Sequence, residues 1–440
     1  MSKRNSILAL AVSFCGLLAF SSPAKAQLQM DSDNSSMDSS YANEPPSKSG
    51  ANAELETRVM YDTNIFNSNA RLSSDWIYEE SALLNAWKND PRYNFAIQYR
   101  PTLLHYQQAS GLNSIDQDLK LDGGYSFTQR FRLRLTDTFG VLTGALEPSS
   151  DEYFAVPTQP LSGLNPTLVT PTSRELSNSS EAHILYDVSQ RGSLDLMGSY
   201  GVQHFSDLGG VHDYFINLFD TNSVTAGATY QYRMTPRFTV GTRYLYQNLR
   251  YGLGGSDETH FAYLTGNWQF GPHMDLDLYG GPAYSNVAGA SSQFAAINTS
   301  SGTLKTWGPA AGGTFSWRSG DTVLEASGQH SVSNGGGLLM TVTTTYGGVE
   351  LRRALGAQWD MVLTGTVSHA EALQQQGGRG VVNSGAAGAA FERPIFDRLS
   401  VHFEYDYLQQ RINKFVPLGT NVNMSQFSAA LFYRMGVSRL

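Results

Sequence analysis

The feature that most constrains the fold is a strict alternation of apolar and polar side chains that recurs along most of the chain. In the stretch SVHFEYDYLQQ, Val401, Phe403 and Tyr405 fall on one side of a strand. His402 and Glu404 fall on the other side, because successive side chains of a β-strand point to opposite faces. One such strand fits a half-buried soluble sheet, and it fits equally a barrel strand with lipid on one face and water on the other.

The alternation begins at Glu54 and continues to the end of the chain, so an all-β protein is predicted. Ionisable side chains keep to one face of each strand. Two segments, 77–87 and 337–350, do not give one clear register. The clearest strands are predicted at 131–136, 193–202, 238–246, 274–281, 399–407 and 426–434.

Two kinds of connection separate these segments, and they alternate along the chain. Tight turns are predicted at NDPR, TQRF, SQRG, MTPR, GPHM, RSGD, ALGA and IFDR. Longer Gly- and Asn-rich links lie between them. Short turns on one side and long loops on the other are typical of an outer-membrane barrel. We therefore predict a single transmembrane antiparallel up-and-down β-barrel of about 18 strands (16–18) over residues 54–440.

The N-terminus has the three parts of a secretory signal peptide. Lys3 and Arg4 are basic, an apolar run follows, and Ala24-Lys25-Ala26 is a small-x-small cleavage site. The apolar run is shorter than the roughly 20 residues that span a bilayer. We predict a cleaved signal peptide over 1–26 and export through the inner membrane to the outer membrane. Residues 27–53, rich in Ser, Asp and Asn, are predicted to be a disordered periplasmic leader.

Composition narrows the class of function. The formal net charge is −8, and the predicted signal peptide contains basic but no acidic residues, so the exported chain is more acidic still. Such a charge argues against nucleic acid as a partner. The only cysteine, Cys15, lies within the signal peptide, which excludes disulfide or thiol chemistry after cleavage.

A soluble β-sandwich or propeller would show the same alternation, so other features must decide between it and a membrane barrel. The chain has 22 Phe and 23 Tyr, and many stand near predicted strand ends. Membrane interfaces attract such aromatic belts. Together with the signal peptide and the turn asymmetry, they favour the barrel.

The first predicted strand continues into the motif YDTNIF, which is formed by Tyr61, Asp62, Asn64, Ile65 and Phe66 around one variable position. This motif resembles the first strand of a putative outer-membrane β-barrel porin family. The resemblance implies a porin-like role, sometimes associated with export of surface polysaccharide. For an outer-membrane barrel, the predicted partners are outer-membrane lipid, lipopolysaccharide and the barrel-assembly machinery. The chain departs from many barrels by ending in Ser-Arg-Leu rather than in an aromatic residue.

Barrels of 16 to 18 strands leave an aqueous channel, so we expect a passive channel for small hydrophilic solutes or ions. Walls of charge tune which ions pass, and the acidic second half of the lining predicts a weak cation preference. The alternative is that lining charges only pair with one another, for example Arg58 and Arg434 with neighbouring acids. The residues predicted to line the pore are Arg100, Lys120, Arg132, Arg134, Arg243, Asp275, Asp277, Asp360, Glu404 and Asp406.

The third long connection, residues 141–178, is far longer than a hairpin requires, and such loops are usually functional or disordered. We expect it either to fold inward as a constriction or to remain a mobile surface loop. The candidate constriction residues are Glu147, Asp151, Glu152, Arg174 and Glu175.

Three further interpretations stay open. A wide barrel can pass a surface polymer such as an exopolysaccharide, and an outer-membrane hydrolase or scaffold is a second alternative. His402, Glu404 and Asp406 could be drawn as a metal site, but neighbours on one strand face are about 7 Å apart and do not converge on an ion. No catalytic spacing is recognisable, so no enzyme, cofactor or metal is predicted. A homo-oligomer is possible for a barrel of this size.

Overall fold

The computed structural model describes residues 49–67, 69, 72–143, 172–206, 218–252, 254–288, 303–356, 358–373, 380–413 and 421–438. The described chain forms 18 strands and one short 3-10 turn, Ser110–Leu112. Within these ranges, no helix has the length and apolar character needed to cross a bilayer. The strands are β1 Ser49–Asp62, β2 Asp75–Asn89, β3 Tyr93–Tyr106, β4 Ser114–Ser126, β5 Phe131–Thr143, β6 Arg174–Asp187, β7 Gly192–Ser206, β8 Thr221–Thr235, β9 Phe238–Tyr251, β10 Ser256–Gln269, β11 Met274–Ala288, β12 Leu304–Ser319, β13 Thr322–Gly335, β14 Leu339–Leu355, β15 Trp359–Ala372, β16 Val381–Phe396, β17 Leu399–Asn413 and β18 Val422–Ser438.

The strands close into one antiparallel up-and-down barrel. Each pairs with its neighbours in the sequence, and β1 pairs with both β2 and β18. The closing seam is long, running from Ala51 opposite Ser438 to Asp62 opposite Gln426. The predicted architecture of about 18 strands is confirmed. β1 begins at Ser49, before the expected Glu54, because 49–53 already pair with β2.

All eight predicted tight turns lie between consecutive strands, and we call their end of the barrel the turn side and the opposite end the loop side. A side-chain oxygen within the turn organises several of them. Thr128 Oγ1 accepts hydrogen bonds from the N–H groups of Arg130 and Phe131 at 3.2 and 3.1 Å. Ser189 Oγ does the same for Arg191 and Gly192. These are the turn roles that Ser and Thr favour.

The two faces of the strands meet different surroundings. On the outer face, large apolar side chains are widely exposed, with Leu264 exposed by 71% and Phe403 by 46%. On the inner face, polar and charged side chains are buried, such as Glu56 and Arg58. An apolar exterior of this extent is stable only in contact with lipid. The barrel therefore spans a membrane with its polar face inward.

On β9–β11, two aromatic belts border the apolar exterior. On the loop side, Tyr246, His260 and Tyr284 are direct neighbours across β9, β10 and β11. On the turn side, Trp268 packs against Phe238 and Phe270 with ring centroids 5.5 and 4.6 Å apart. His260 and Trp268 are eight residues apart on β10. At about 3.3 Å per residue and a tilt near 40°, that separation spans roughly 20 Å, close to the apolar height of a membrane barrel.

Acidic side chains also occur on the outer face. Glu80 on β2 is exposed and breaks the alternation of the segment 77–87, which explains why its register is unclear from sequence. Asp137 on β5 also faces outward, where Asn178 Nδ2 donates to it at 3.2 Å and Ser180 Oγ donates to its other oxygen. The hydrogen bonds of Asp137 reduce the cost of placing a carboxylate on this face.

Leu264 lies midway between the two belts, so we expect Leu264→Arg to destabilise the folded barrel by roughly 2–4 kcal/mol, the cost of a cation at the bilayer midplane. Asn267→Arg on the same strand is the control, because Asn267 faces inward and hydrogen-bonds Asp277 at 2.7 Å. The control should change the free energy of unfolding by less than about 1 kcal/mol. Urea-induced unfolding from lipid vesicles measures both, and equal losses would contradict the assignment of faces.

Candidate functional site

The interior wall is the candidate site, because it is the only face that a solute inside the barrel could touch. The register places all ten predicted pore-lining residues on the inward face. Arg100 opposes Asp118, for example, and Asp406 opposes Gly388 on one side and Gln426 on the other. Their role in permeation stays a prediction.

A buried charge cluster joins β1, β2 and β17 and consists of Glu56, Arg58, Glu79 and Glu404. Arg58 is only 3% exposed. Its Nε lies 2.7 Å from Glu56 Oε1 and 3.8 Å from Glu79 Oε2, and its Nη1 lies 3.0 Å from Glu404 Oε2. Neither oxygen of Glu79 has a hydrogen-bond partner among the described residues. One guanidinium therefore offsets the repulsion among three carboxylates across the closing seam of the barrel.

Other inward charges are also paired. Arg434 lies 2.8 Å from Glu54 and 3.0 Å from Glu392, so it joins β18 to β1 and β16. Arg132 lies 3.4 Å from Asp187 on the adjacent strand β6. The expected pairing of Arg58 and Arg434 with neighbouring acids is present in the structure. In each of these ion pairs, the charge of an arginine is offset by one or more carboxylates of the lining.

The motif YDTNIF has a structural role at the loop side of β1. Asp62 accepts a hydrogen bond from the Asn64 N–H at 2.6 Å and another from Gln426 Nε2 at 2.9 Å. Asn64 Nδ2 in turn donates to the carbonyl of Asn423 at 3.1 Å. This arrangement turns the chain inward, so that Ile65 packs with Met60 and other buried apolar side chains of β1–β3. The motif thus fixes the top of the closing seam.

The predicted constriction loop is only partly covered by the described residues. Glu147, Asp151 and Glu152 lie outside them. Arg174 and Glu175 begin β6, and Gln203 Nε2 on β7 donates to Glu175 at 2.9 Å. Glu175 is therefore part of the wall on the loop side.

The hairpin of β13 and β14 does enter the barrel, which sequence reasoning missed. On β13 the odd-numbered residues face inward, since Glu325 opposes the inward Ser316. Val332 and Asn334 should then face lipid. Instead, Val332 packs against inward-facing side chains of β7–β12, and Asn334 Nδ2 donates to Gln203 Oε1 at 3.0 Å. These contacts are possible only if the end of this hairpin lies inside the barrel.

The inserted tip, residues 331–342, touches several parts of the wall. The Gly337 carbonyl accepts a hydrogen bond from the Phe219 N–H at 2.8 Å, and Tyr251 and Thr341 share a hydrogen bond of 2.9 Å. On the other side Leu338, Leu339 and Val342 pack with apolar side chains of β15 and β16. The tip reaches both walls and obstructs the lumen on the loop side.

Glycine allows this path. Gly336 and Gly337 have φ of +57° and +81°, a backbone region that L side chains rarely adopt. A Cβ on Gly337 would also stand 2.5 Å from the Phe205 ring. The signal in the sequence was the run of glycines before residues 337–350, where no single register could be assigned.

The alternative of a metal site finds no support in this geometry. Among the residues that the structure describes, no group of three or more His, Cys, Asp or Glu side chains is arranged to hold a metal ion. His402, Glu404 and Asp406 lie along one face of β17, and Glu404 is engaged with Arg58.

No protein-family model matches the chain, and no curated protein matches it. Among solved structures, OpdO of Pseudomonas aeruginosa is 14% identical and has a TM-score of 0.44, with 88% of this chain and 97% of that chain covered. OccAB3 of Acinetobacter baumannii is 11% identical with a TM-score of 0.44 over 88% and 99% of the two chains. P. aeruginosa OccK2 (OpdF), solved with glucuronate, is 13% identical with a TM-score of 0.43 over 88% and 98%. At these identities, the function must be argued from this chain's own side chains.

Arg58→Met should destabilise the barrel by roughly 3–5 kcal/mol, because it leaves buried carboxylates without their countercharge. Arg134→Met is the matched control, since Arg134 is exposed on the inward face, and it should cost less than about 1 kcal/mol. Equilibrium unfolding in urea from lipid vesicles compares the two. Similar values would show that the Arg58 cluster does not support the closing seam.

Proposed function

We propose that the protein is a porin-like passive channel of the bacterial outer membrane, which admits small hydrophilic solutes or ions. The observation that supports this proposal most directly is a closed 18-stranded barrel with an apolar exterior and an ionisable interior. A barrel of this strand number encloses more space than its wall side chains fill. The turn side would face the periplasm and the loop side the exterior, as in other outer-membrane barrels. Lipopolysaccharide would surround the loop side, and the barrel-assembly machinery would insert the chain.

The lining supports a preference for cations. Arg58, Arg132 and Arg434 are held in ion pairs. Asp275 and Asp277 face inward on β11, and Asp277 is exposed there. Carboxylates in a pore attract cations and repel anions. Asp275 and Asp277 therefore make the lining beside β11 negative.

The inserted β13–β14 tip supports a narrow rather than a wide passage. It reaches from the β15–β16 wall to Gln203 on β7, and so it reduces the space available on the loop side. A narrow passage suits small solutes better than a folded polymer, which makes polymer export the weaker alternative.

Replacing Asn334–Thr341 by Asn-Gly should raise single-channel conductance at least twofold, because the two-residue turn keeps the hairpin but removes most of the tip. Deleting 148–171 is the companion experiment and tests the predicted constriction loop. Planar-bilayer recordings compare both variants with the parent chain. Unchanged conductance in the first variant would show that the tip does not limit permeation.

The double variant Asp275→Asn/Asp277→Asn should reduce the cation-to-anion permeability ratio by about half or more, since it removes two inward charges without changing side-chain size. Reversal potentials in a salt gradient give the ratio. Glu80→Gln on the outer face is the control and should leave the ratio unchanged. Anion selectivity of the parent chain would contradict the proposed electrostatics.

A further inference from the structure

The barrel wall parts between β12 and β13 on the loop side. The last pair between them is Ala311 with His330. Beyond it, β12 continues to Leu304 paired with β11, while β13 continues to Gly335 paired with β14. Among the described residues, 304–310 have no strand partner on the β13 side. The tip that turns inward thus leaves a gap in the wall.

A proline lies where the ladder ends. In an antiparallel ladder, opposing residues alternate between pairs that exchange hydrogen bonds and pairs whose polar groups point outward to the flanking strands. Pro282 and Pro309 oppose each other, and two residues without an N–H fit the second kind. The backbone of Pro309 then points toward β13. The rung after Ala311 therefore lacks a donor, which weakens the pairing with β13 at the point where the strands separate.

Apolar side chains line the inner wall behind the gap. Met197, Leu245, Phe261, Tyr263, Ala283 and Ala310 form one buried cluster on the inward faces of β7–β12. Tyr279 and Val332 pack against it. Ala310 and Val332 belong to the two strands that separate. The apolar compartment therefore borders the gap directly.

The gap lies at the height of the outer leaflet. The loop-side aromatic belt continues from Tyr284 to Trp307 on β12, with ring centroids 4.9 Å apart, and Trp307 is 71% exposed. Continuing the Ala311–His330 register, the next position in the belt would be Asn334. That residue is fully buried inside the barrel. The belt stops at the gap, and the opening extends from the belt toward the apolar zone.

We propose that this gap is a lateral portal through which lipophilic molecules carrying an acyl chain or an aromatic ring pass between the outer leaflet and the apolar compartment. Lipid hydrocarbon adjoins the opening on one side, and Phe261, Tyr263 and Tyr279 offer apolar and aromatic surface on the other. Polar solutes would use the charged part of the lumen, so the barrel has two routes of different chemistry. This second route goes beyond the proposed ion and solute channel.

Photolabelling tests the portal. Vesicles contain the full-length exported protein and phosphatidylcholine with a diazirine in its acyl chain, and mass spectrometry locates the labelled residues. Leu264 on the outer face is the reference. If the portal is open, Phe261 or Tyr263 inside the barrel should also be labelled. Labelling confined to outward residues would overturn the proposal.

Blocking the opening provides the matched comparison. A Cβ at Gly308 meets no atom within 4 Å, and Gly308 is an inward position beside the gap, so Gly308→Cys accepts a bulky thiol reagent. Thr314→Cys is the control, because Thr314 is inward on the same strand but lies in the paired region. Modification at 308 should reduce interior labelling at least fivefold, and modification at 314 should not. Equal labelling in both would refute the portal.

Ion conductance measured on the same samples distinguishes a failure of the portal proposal from a failure of the proposed channel. Interior labelling that falls while conductance persists supports two routes. A parallel fall in both shows a single shared path and overturns the portal. A silent barrel that is still labelled inside would refute only the channel.

Discussion

The need to satisfy every backbone N–H and C=O in contact with hydrocarbon governs this structure. In lipid, a strand without a partner costs several kcal/mol for each exposed polar group, so a sheet must close on itself. The chain meets this requirement by pairing β1 with β18 over most of their length. The two-sided pattern of the strands follows from closure, because one face then touches lipid and the other encloses water. The Arg58 cluster and the Asp62 turn reinforce the place where the first strand meets the last.

Features with a local cause could be predicted from sequence. The faces of β17 follow from a period of two, and Phe403 lies outward while Glu404 lies inward as expected. Each tight turn carries its own chemistry, such as the Thr128 hydroxyl that holds two backbone N–H groups. The ion pair of Arg434 with Glu54 was foreseeable for the same reason, since these two residues lie directly opposite each other on adjacent strands.

Features that depend on distant contacts could not be predicted. The inserted tip is held by a hydrogen bond between Asn334 and Gln203, which are 131 positions apart in sequence. Loop length pointed to residues 141–178 as the constriction, yet the obstruction seen among the described residues comes from a short hairpin. The failure to find one register in 337–350 had a physical meaning: both faces of the inserted tip meet protein, so alternation toward lipid is not required in that part of the segment.

On the loop side β12 and β13 separate, so the backbone pairing that closes the rest of the barrel is missing there. The Gly335–Gly337 run and Pro309 both act in the same direction, one by allowing the inward bend and the other by removing a ladder donor. If β13 instead continued along β12, Val332 would gain lipid contact, but Asn334 would have to leave Gln203 for the aromatic belt. Packing inside the barrel therefore offsets the loss of wall pairing. The end of β13 can pair with β12 in the wall or pack against the apolar compartment inside the barrel, but it cannot do both. Any molecule that occupies the compartment would therefore shift the balance between these two arrangements.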